Sequence, residues 1–125
     1  MTLLDIDEDW MCGIKICLGG TAPVVLISVY MPCSNYSNIL YTDCIEKLHD
    51  TFNRYNDTNH CVIMGDFNAE IAGEKCASYS PVRGELLQDF ITANGLCAAN
   101  LLGSCEGPSY TFDPLKDHSV NTFID

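Results

Sequence analysis

The sequence has few basic residues. Six Lys and Arg side chains stand against 17 Asp and Glu side chains, and the formal net charge at pH 7 is −11. Affinity for DNA or RNA depends largely on Lys and Arg side chains that neutralise phosphates, so we expect this chain alone to bind nucleic acid weakly. An acidic protein can still bind a cation.

The sequence also lacks the segments that mark membrane and secreted proteins. No apolar run approaches the roughly 20 residues of a membrane-spanning helix, so we expect no membrane partner. The first residues include Asp5, Asp7, Glu8 and Asp9, whereas a signal peptide starts with cationic residues. No internal repeat, low-complexity tract or linker divides the chain. These features predict one globular, intracellular domain of 125 residues.

The eight cysteines form no Cys-x-x-Cys pair and no Cys/His spacing typical of zinc. Several of them, such as Cys44 and Cys61, fall on apolar stretches. We therefore expect reduced, buried thiols, and not a disulfide framework.

Hydrophobic periodicity predicts strands that alternate with helices. After an acidic lead-in over residues 1–9, alternation from Trp10 to Leu18 predicts a strand with one buried face, and Gly19-Gly20-Thr21 predicts a hairpin-type turn. Val24 to Tyr30 is apolar almost throughout, which predicts a central strand covered on both sides. The remaining expected elements are a helix capped by Ser37 or Asn38 and closed by Asn56-Asp57, a strand from His60 also covered on both faces, a helix around Leu86 to Ile91 stopped by Asn94-Gly95, and short strands at Leu96 to Leu101, Ser109 to Phe112 and Thr122 to Asp125.

The stretch from His60 to Glu70 is the most informative part of the chain. Its apolar strand ends at Gly65, where the backbone can turn without a Cβ in the way. Asp66 and Asn68 then occupy alternate positions, so both side chains can point the same way. A carboxylate can deprotonate water or bind a hard cation, and a carboxamide can donate to an anionic oxygen. The alternative is an Asx-type turn, in which these side chains only cap backbone amides.

The motif Gly65-Asp66-Phe67-Asn68-Ala69 resembles the central motif of the endonuclease/exonuclease/phosphatase superfamily. These metal-dependent phosphodiesterases include abasic-site endonucleases, DNase I and the endonucleases of LINE-type retrotransposons. Tyr30-Met31-Pro32 is similar to the Tyr-x-Pro signature one strand earlier. Three further segments resemble the LINE-type members in the same order: Gly84 to Asn100, Ser109 to Phe112 and Thr122 to Asp125.

The resemblance implies a fold and a reaction. The fold is α/β, an incomplete DNase I-like α/β sandwich of two packed mixed β-sheets with helices outside. The reaction is in-line attack of water on a phosphodiester of DNA or another substrate, assisted by Mg²⁺ or Mn²⁺.

The resemblance also implies roles for four residues. Asp66 would align or deprotonate the attacking water, and Asn68 would hold the phosphate or the metal-side water shell, so both are expected at the metal site. Tyr30 would stabilise charge that develops on the phosphoryl oxygens. Asp125 would hydrogen-bond and orient a catalytic histidine.

The resemblance leaves two parts of the machinery without a match. The family's metal-binding glutamate and its Ser-Asp-His segment have no counterpart, and Asp117-His118 precedes the Ile-Asp strand. We therefore expect residues 10–125 to be a partial domain, weak or inactive as this chain alone, whose exposed sheet edges favour self-association. One alternative is a non-catalytic protein-interaction module on the same scaffold. Another, a flavodoxin-like binding protein, lacks a glycine-rich phosphate loop.

Overall fold

The computed structural model describes residues 1–71, 81–102, 104 and 106. This part of the chain is α/β, as the sequence predicts. No helix in it is long and apolar enough to cross a bilayer. Its elements are β1 (Thr2–Leu3), β2 (Met11–Ile16), β3 (Val24–Tyr30), α1 (Asn38–Asn56), β4 (His60–Asp66), α2 (Pro81–Ala93) and a 3-10 helix (Ala99–Leu101).

The four strands form one mixed sheet in the order β1-β2-β3-β4. β1 and β2 are antiparallel, as are β2 and β3, whereas β3 and β4 are parallel. Parallel neighbours need a crossover connection, and α1 supplies it. The central position of β3 is confirmed. β1 is a strand that the sequence pattern did not predict, because the acidic lead-in carries no clear alternation.

The β2–β3 hairpin forms where the glycine pair predicted it. Met11 pairs with Val29 at one end of the ladder. In the connecting turn Gly20 has a φ of +87°, a conformation that glycine adopts without a steric penalty. The Thr21 backbone N–H donates to the carbonyl oxygen of Leu18 at 3.2 Å. The predicted antiparallel pairing is therefore confirmed.

Helix α1 begins and ends at the expected residues, whereas α2 ends at the expected stop but begins earlier than Leu86. The Ser37 hydroxyl accepts the Leu40 backbone N–H at 3.2 Å, which confirms the N-cap of α1. α2 starts at Pro81, a residue suited to a first helical turn. Gly95, with a φ of +61°, follows its end. The buried face of α1 recurs at the three- and four-residue steps of a helix and consists of Tyr41, Cys44, Ile45, Leu48, Thr51 and Phe52.

The core lies between one face of the sheet and the two helices. Val25, Ile27 and Val29 of β3 are buried in it, and burial stabilises each aliphatic side chain of this size by about 1.5–3 kcal/mol. Phe52 of α1 and Phe90 of α2 meet edge to face, with ring centroids 6.2 Å apart. This ring contact packs the two helices against each other.

The other face of the sheet is more open than the sequence predicts. Val62 and Met64 of β4 are 44% and 47% exposed. The expectation that β3 and β4 are covered on both faces is therefore wrong for the described residues, since the helices bury only the side chains that point toward them. These residues form a single sheet, and the two-sheet sandwich stays a prediction. The expected strands at 109–112 and 122–125 lie outside the described residues.

Two further expectations are corrected. The strand predicted from Leu96 to Leu101 is wrong, because Ala99–Leu101 is a 3-10 helix and the Leu101 side chain is exposed. A short apolar run does not distinguish a strand from a turn by periodicity. Buried thiols were also overpredicted. Cys44 is buried, but three of the described cysteines are exposed, namely Cys12, Cys17 and Cys97. Cys76 and Cys105 lie outside the described residues.

Candidate functional site

The carboxyl ends of β3 and β4 meet at one end of the sheet because these strands are parallel. Tyr30 and Asp66 are register partners there. The Met31 backbone N–H donates to the carbonyl oxygen of Asp66 at 2.8 Å. The side chains of register partners on neighbouring strands lie on the same face of the sheet. We call Tyr30, Asp66 and Asn68 the strand-end site.

Gly65 shapes the backbone just before Asp66. Its φ is +134°, and a Cβ at this position would meet the carbonyl oxygen of Val29 on the neighbouring strand. Only glycine combines this conformation with such a close approach. This confirms the expectation that the backbone turns at Gly65, where the residue must lack a Cβ.

Asn68 links the loops that follow the two strands. Its φ is +46°, in the left-handed region, and the residue is 4% exposed. Its Nδ2 donates to the carbonyl oxygen of Met31 at 2.9 Å. Its backbone N–H donates to Oδ1 of Asp66 at 3.0 Å. The Asx-type turn is therefore present, and Asn68 also ties the β4 loop to the β3 loop.

The Asx-type turn leaves Asp66 with capacity for chemistry. A carboxylate has about four lone-pair sites, of which the Asn68 backbone N–H uses one. Partial burial raises the pKa of Asp66, and the hydrogen bond from the Asn68 backbone opposes that rise. A carboxylate whose pKa is raised takes up a proton more readily from a bound water.

Tyr30 is the exposed member of the strand-end site. Its side chain is 63% exposed, although its chain neighbours Val29 and Met31 are both buried in the core. Its phenol can therefore reach a ligand that lies over Asp66, and a phenolic O–H can donate to an anionic oxygen.

Two buried side chains of the helices hydrogen-bond to segments that adjoin the strand-end site. The Tyr41 hydroxyl of α1 donates to the carbonyl oxygen of Phe67 at 2.9 Å. Burial raises the pKa of Tyr41, so the hydroxyl keeps its proton and stays a donor. Arg83 of α2 donates to two carbonyl oxygens of the segment between β3 and α1 and to the Oδ1 atom of Asn38, the first residue of α1.

Sequence reasoning missed Arg83. Arg83, Leu87 and Phe90 recur at four- and three-residue steps and are all buried on α2. This helical spacing was the available signal, because it places a basic residue on the apolar stripe.

A family model described as endonuclease-reverse transcriptase matches residues 24–125. The chain belongs to the endonuclease-reverse transcriptase family. The match confirms the resemblance inferred from the motifs. It begins at β3 and includes all four expected site residues, Tyr30, Asp66, Asn68 and Asp125. No curated protein and no solved structure gives a significant match.

The structure of this endonuclease-reverse transcriptase family chain brings three of those four residues together. Asp125, like Asp117 and His118, lies outside the described residues. Within residues 1–71, 81–102, 104 and 106, no three His, Cys, Asp or Glu side chains are grouped so as to hold a metal ion. Among the described residues the expected metal site consists of the Asp66 carboxylate and the Asn68 carboxamide, and it stays a prediction, since Mg²⁺ is usually held by one or two carboxylates together with substrate phosphates.

Proposed function

We propose that this chain is the central part of a divalent-metal-dependent phosphodiesterase domain of retrotransposon origin, weak or inactive by itself. The main support is the register pairing of Tyr30 with Asp66 at the carboxyl ends of two parallel strands. That pairing presents an exposed phenol beside a carboxylate whose pKa is raised. Family membership supports the same assignment.

In the proposed reaction each residue of the strand-end site has a distinct task. Asp66 accepts a hydrogen bond from the attacking water and then its proton, a step that contributes typically about 10²–10⁴-fold in enzymes. Tyr30 donates from its hydroxyl to a phosphoryl oxygen as negative charge develops there.

Two residues are proposed to act through others. Asn68 keeps the Asp66 carboxylate in place through the turn, in addition to the phosphate or metal contact that the resemblance implies. Asp125 is proposed to orient a histidine that a longer domain would supply.

Mg²⁺ or Mn²⁺ enters the proposal as the cofactor of the complete domain. Within the described residues no three ligand side chains are grouped, so no step is assigned to the ion. Low activity is proposed because the family's metal-binding glutamate and its Ser-Asp-His segment have no counterpart in the resemblance. DNA is the proposed substrate of the complete domain. A net charge of −11 opposes its binding to this chain alone.

Plasmid nicking tests the proposed level of activity. Wild type and Asp66→Ala are compared with Mg²⁺ and with Mn²⁺, and Asp50→Ala on the exposed face of α1 is the matched control. We expect all three proteins to nick at or near the rate of the protein-free blank. Clear turnover that Asp66→Ala abolishes and Asp50→Ala retains would overturn the proposed low activity.

Thermal stability in a Mn²⁺ titration tests the site itself. A ligand that binds only the folded state raises the melting temperature. We expect weak protection of wild type and Asp50→Ala that is lost in Asp66→Ala. Equal protection of all three proteins, or none, would contradict a vestigial active site.

A non-catalytic protein-interaction module is the alternative, and the exposed apolar side chains of Val62 and Met64 favour it. Among the described residues β4 is an edge strand, so within this part of the chain the surface adjoins a sheet edge. We propose that the chain self-associates there. Light scattering across a concentration series checks this. A monodisperse monomer at every concentration would contradict it.

A further inference from the structure

A guanidinium group is buried beside the strand-end site. Arg83 is 1% exposed. Its Nη1 donates to the carbonyl oxygen of Pro32 at 2.6 Å, and its Nη2 donates to that of Tyr36 at 2.7 Å. Its Nε donates to Oδ1 of Asn38 at 3.1 Å. A charge this deeply buried is strongly destabilising unless hydrogen bonds compensate it, and here three oxygens do so.

The hydrogen-bond partners of Arg83 in the described part of the chain are uncharged. Within the described residues its hydrogen bonds go to backbone carbonyls and a side-chain amide, and its charge also lies over the Tyr41 ring, 4.8 Å from the centroid. Two backbone carbonyls held by one rigid fork define the path of the chain between them. Arg83 therefore fixes the loop from Pro32 to Tyr36.

That loop is continuous with the strand-end site. Met31 directly precedes it and bonds both other polar residues of the site. The Met31 backbone N–H donates to the carbonyl oxygen of Asp66, and the Met31 carbonyl oxygen accepts from Nδ2 of Asn68. Tyr41, under the guanidinium, holds the carbonyl oxygen of Phe67. Arg83 is thus connected to the loops after both β3 and β4.

We propose that Arg83 is a positioning residue of the strand-end site. It touches no substrate; it holds the Pro32–Tyr36 loop so that Met31 keeps Asp66 and Asn68 in place beside Tyr30. The consequence for hydrolysis rests on the proposed function. The positioning itself can be measured on the folded chain without any turnover.

Amide hydrogen exchange followed by NMR tests the positioning. The exchange rates of the Met31 and Asn68 amides are each divided by that of Ile27, in the middle of β3, for wild type, Arg83→Lys and Arg83→Met. We expect both ratios to rise by about tenfold or more in both variants, because the loop opens locally while the sheet stays closed. Lysine keeps the positive charge but lacks the planar guanidinium that bonds two carbonyl oxygens at once. We therefore expect both exchange ratios to stay raised in Arg83→Lys.

Arg54→Met is the matched control. Arg54 is an exposed arginine of α1 whose Nη1 also donates to a backbone carbonyl, that of Asp5, at 3.1 Å. We expect it to leave both ratios unchanged. If Arg83→Met does not fold, the Arg83→Lys ratios decide.

Unchanged ratios in the Arg83 variants, or a uniform rise at Met31, Asn68 and Ile27, would overturn the proposal, because a merely structural arginine lowers protection everywhere. Failure of the proposed function is separate from this result. It is detected by the Mn²⁺ titration of Asp66→Ala, which does not involve Arg83.

Discussion

Tyr30 and Asp66 are register partners at the carboxyl ends of β3 and β4, next to the hydrogen bond from the Met31 N–H to the Asp66 carbonyl oxygen. The pairing brings together the Tyr-x-Pro and Gly-Asp-Phe-Asn segments. In the sequence these segments lie on either side of helix α1. The chemistry proposed for this family member depends on it. It also yields predictions that need no substrate.

Gly65→Ala is expected to destabilise the protein. The left-handed conformation alone costs about 1–3 kcal/mol for a residue with a Cβ, and contact with the Val29 carbonyl oxygen adds to that cost. Gly19→Ala is the matched control, because its Cβ would meet nothing within 4 Å. We expect it to change stability by no more than about 0.5 kcal/mol. Urea unfolding measures both, and equal stabilities of the two variants would contradict the close approach at Gly65.

Two substitutions of Asn68 are expected to separate the stability that comes from its side-chain hydrogen bond from the cost of its left-handed backbone conformation. Asn68→Gly keeps the left-handed backbone but leaves the buried Met31 carbonyl oxygen without its donor, which costs about 1–3 kcal/mol. Asn68→Ala loses the same bond and adds about 1–2 kcal/mol for the left-handed conformation. Urea unfolding should rank wild type above Asn68→Gly and Asn68→Gly above Asn68→Ala. If alanine is no worse than glycine, the backbone conformation assigned to this residue is wrong.

The pKa of Asp66 predicts a pH dependence of stability. Burial raises it above the ordinary value of 3.8, so the folded state binds the proton more tightly than the unfolded state. The stability from this carboxyl is therefore fully present below pH 3.8 and is lost as pH rises through the raised pKa.

Asp66→Asn removes this titration and keeps an acceptor for the Asn68 N–H. As pH rises above 3.8, wild type loses the stability from this carboxyl and the variant does not. We therefore expect the unfolding free energy of Asp66→Asn minus that of wild type to increase over this interval. Urea unfolding across a pH series measures the difference, with Asp50→Asn as the control. A difference that does not vary with pH would contradict the raised pKa.

The cysteines are expected to differ in reactivity. Burial raises the pKa of Cys44, and the thiolate is the reactive form, so this thiol should be alkylated slowly. Cys12 and Cys17 are exposed. We expect iodoacetamide to modify these two on the order of tenfold faster than Cys44 in the folded protein, and all three at similar rates in urea. Mass spectrometry of the labelled peptides measures the rates, and equal rates in the folded state would contradict the burial of Cys44.

Much of the fold could be predicted from the sequence, because its signals are local. The helical stripe of α1, the Ser37 cap, the Gly95 stop and the Gly19-Gly20 turn each depend on neighbouring residues, and the structure confirms them. The prediction failed where a local pattern has two outcomes. Leu96 to Leu101 is short and apolar, which suits a strand as well as the observed turn.

The candidate site was predictable in part for the same reason. Tyr30 and Asp66 could be assigned to strand ends from the residues that follow each strand. Arg83 could not be assigned, because a basic residue on an apolar helix stripe shows its partners only after the helix is docked.

By itself, the sequence determined the hairpin of β2 and β3, the helices α1 and α2 and the strand β4, which position requires glycine, and which polar residues end the parallel strands. The tertiary structure alone decided that the Asn68 carboxamide bonds the Met31 carbonyl oxygen, 37 residues away, and that Arg83 reaches Pro32 across 51 residues. The physical reason is that these bonds form between loops and helices brought together by the crossover through α1. Local propensity acts over a few residues and carries no information about which distant carbonyl oxygen a donor will meet.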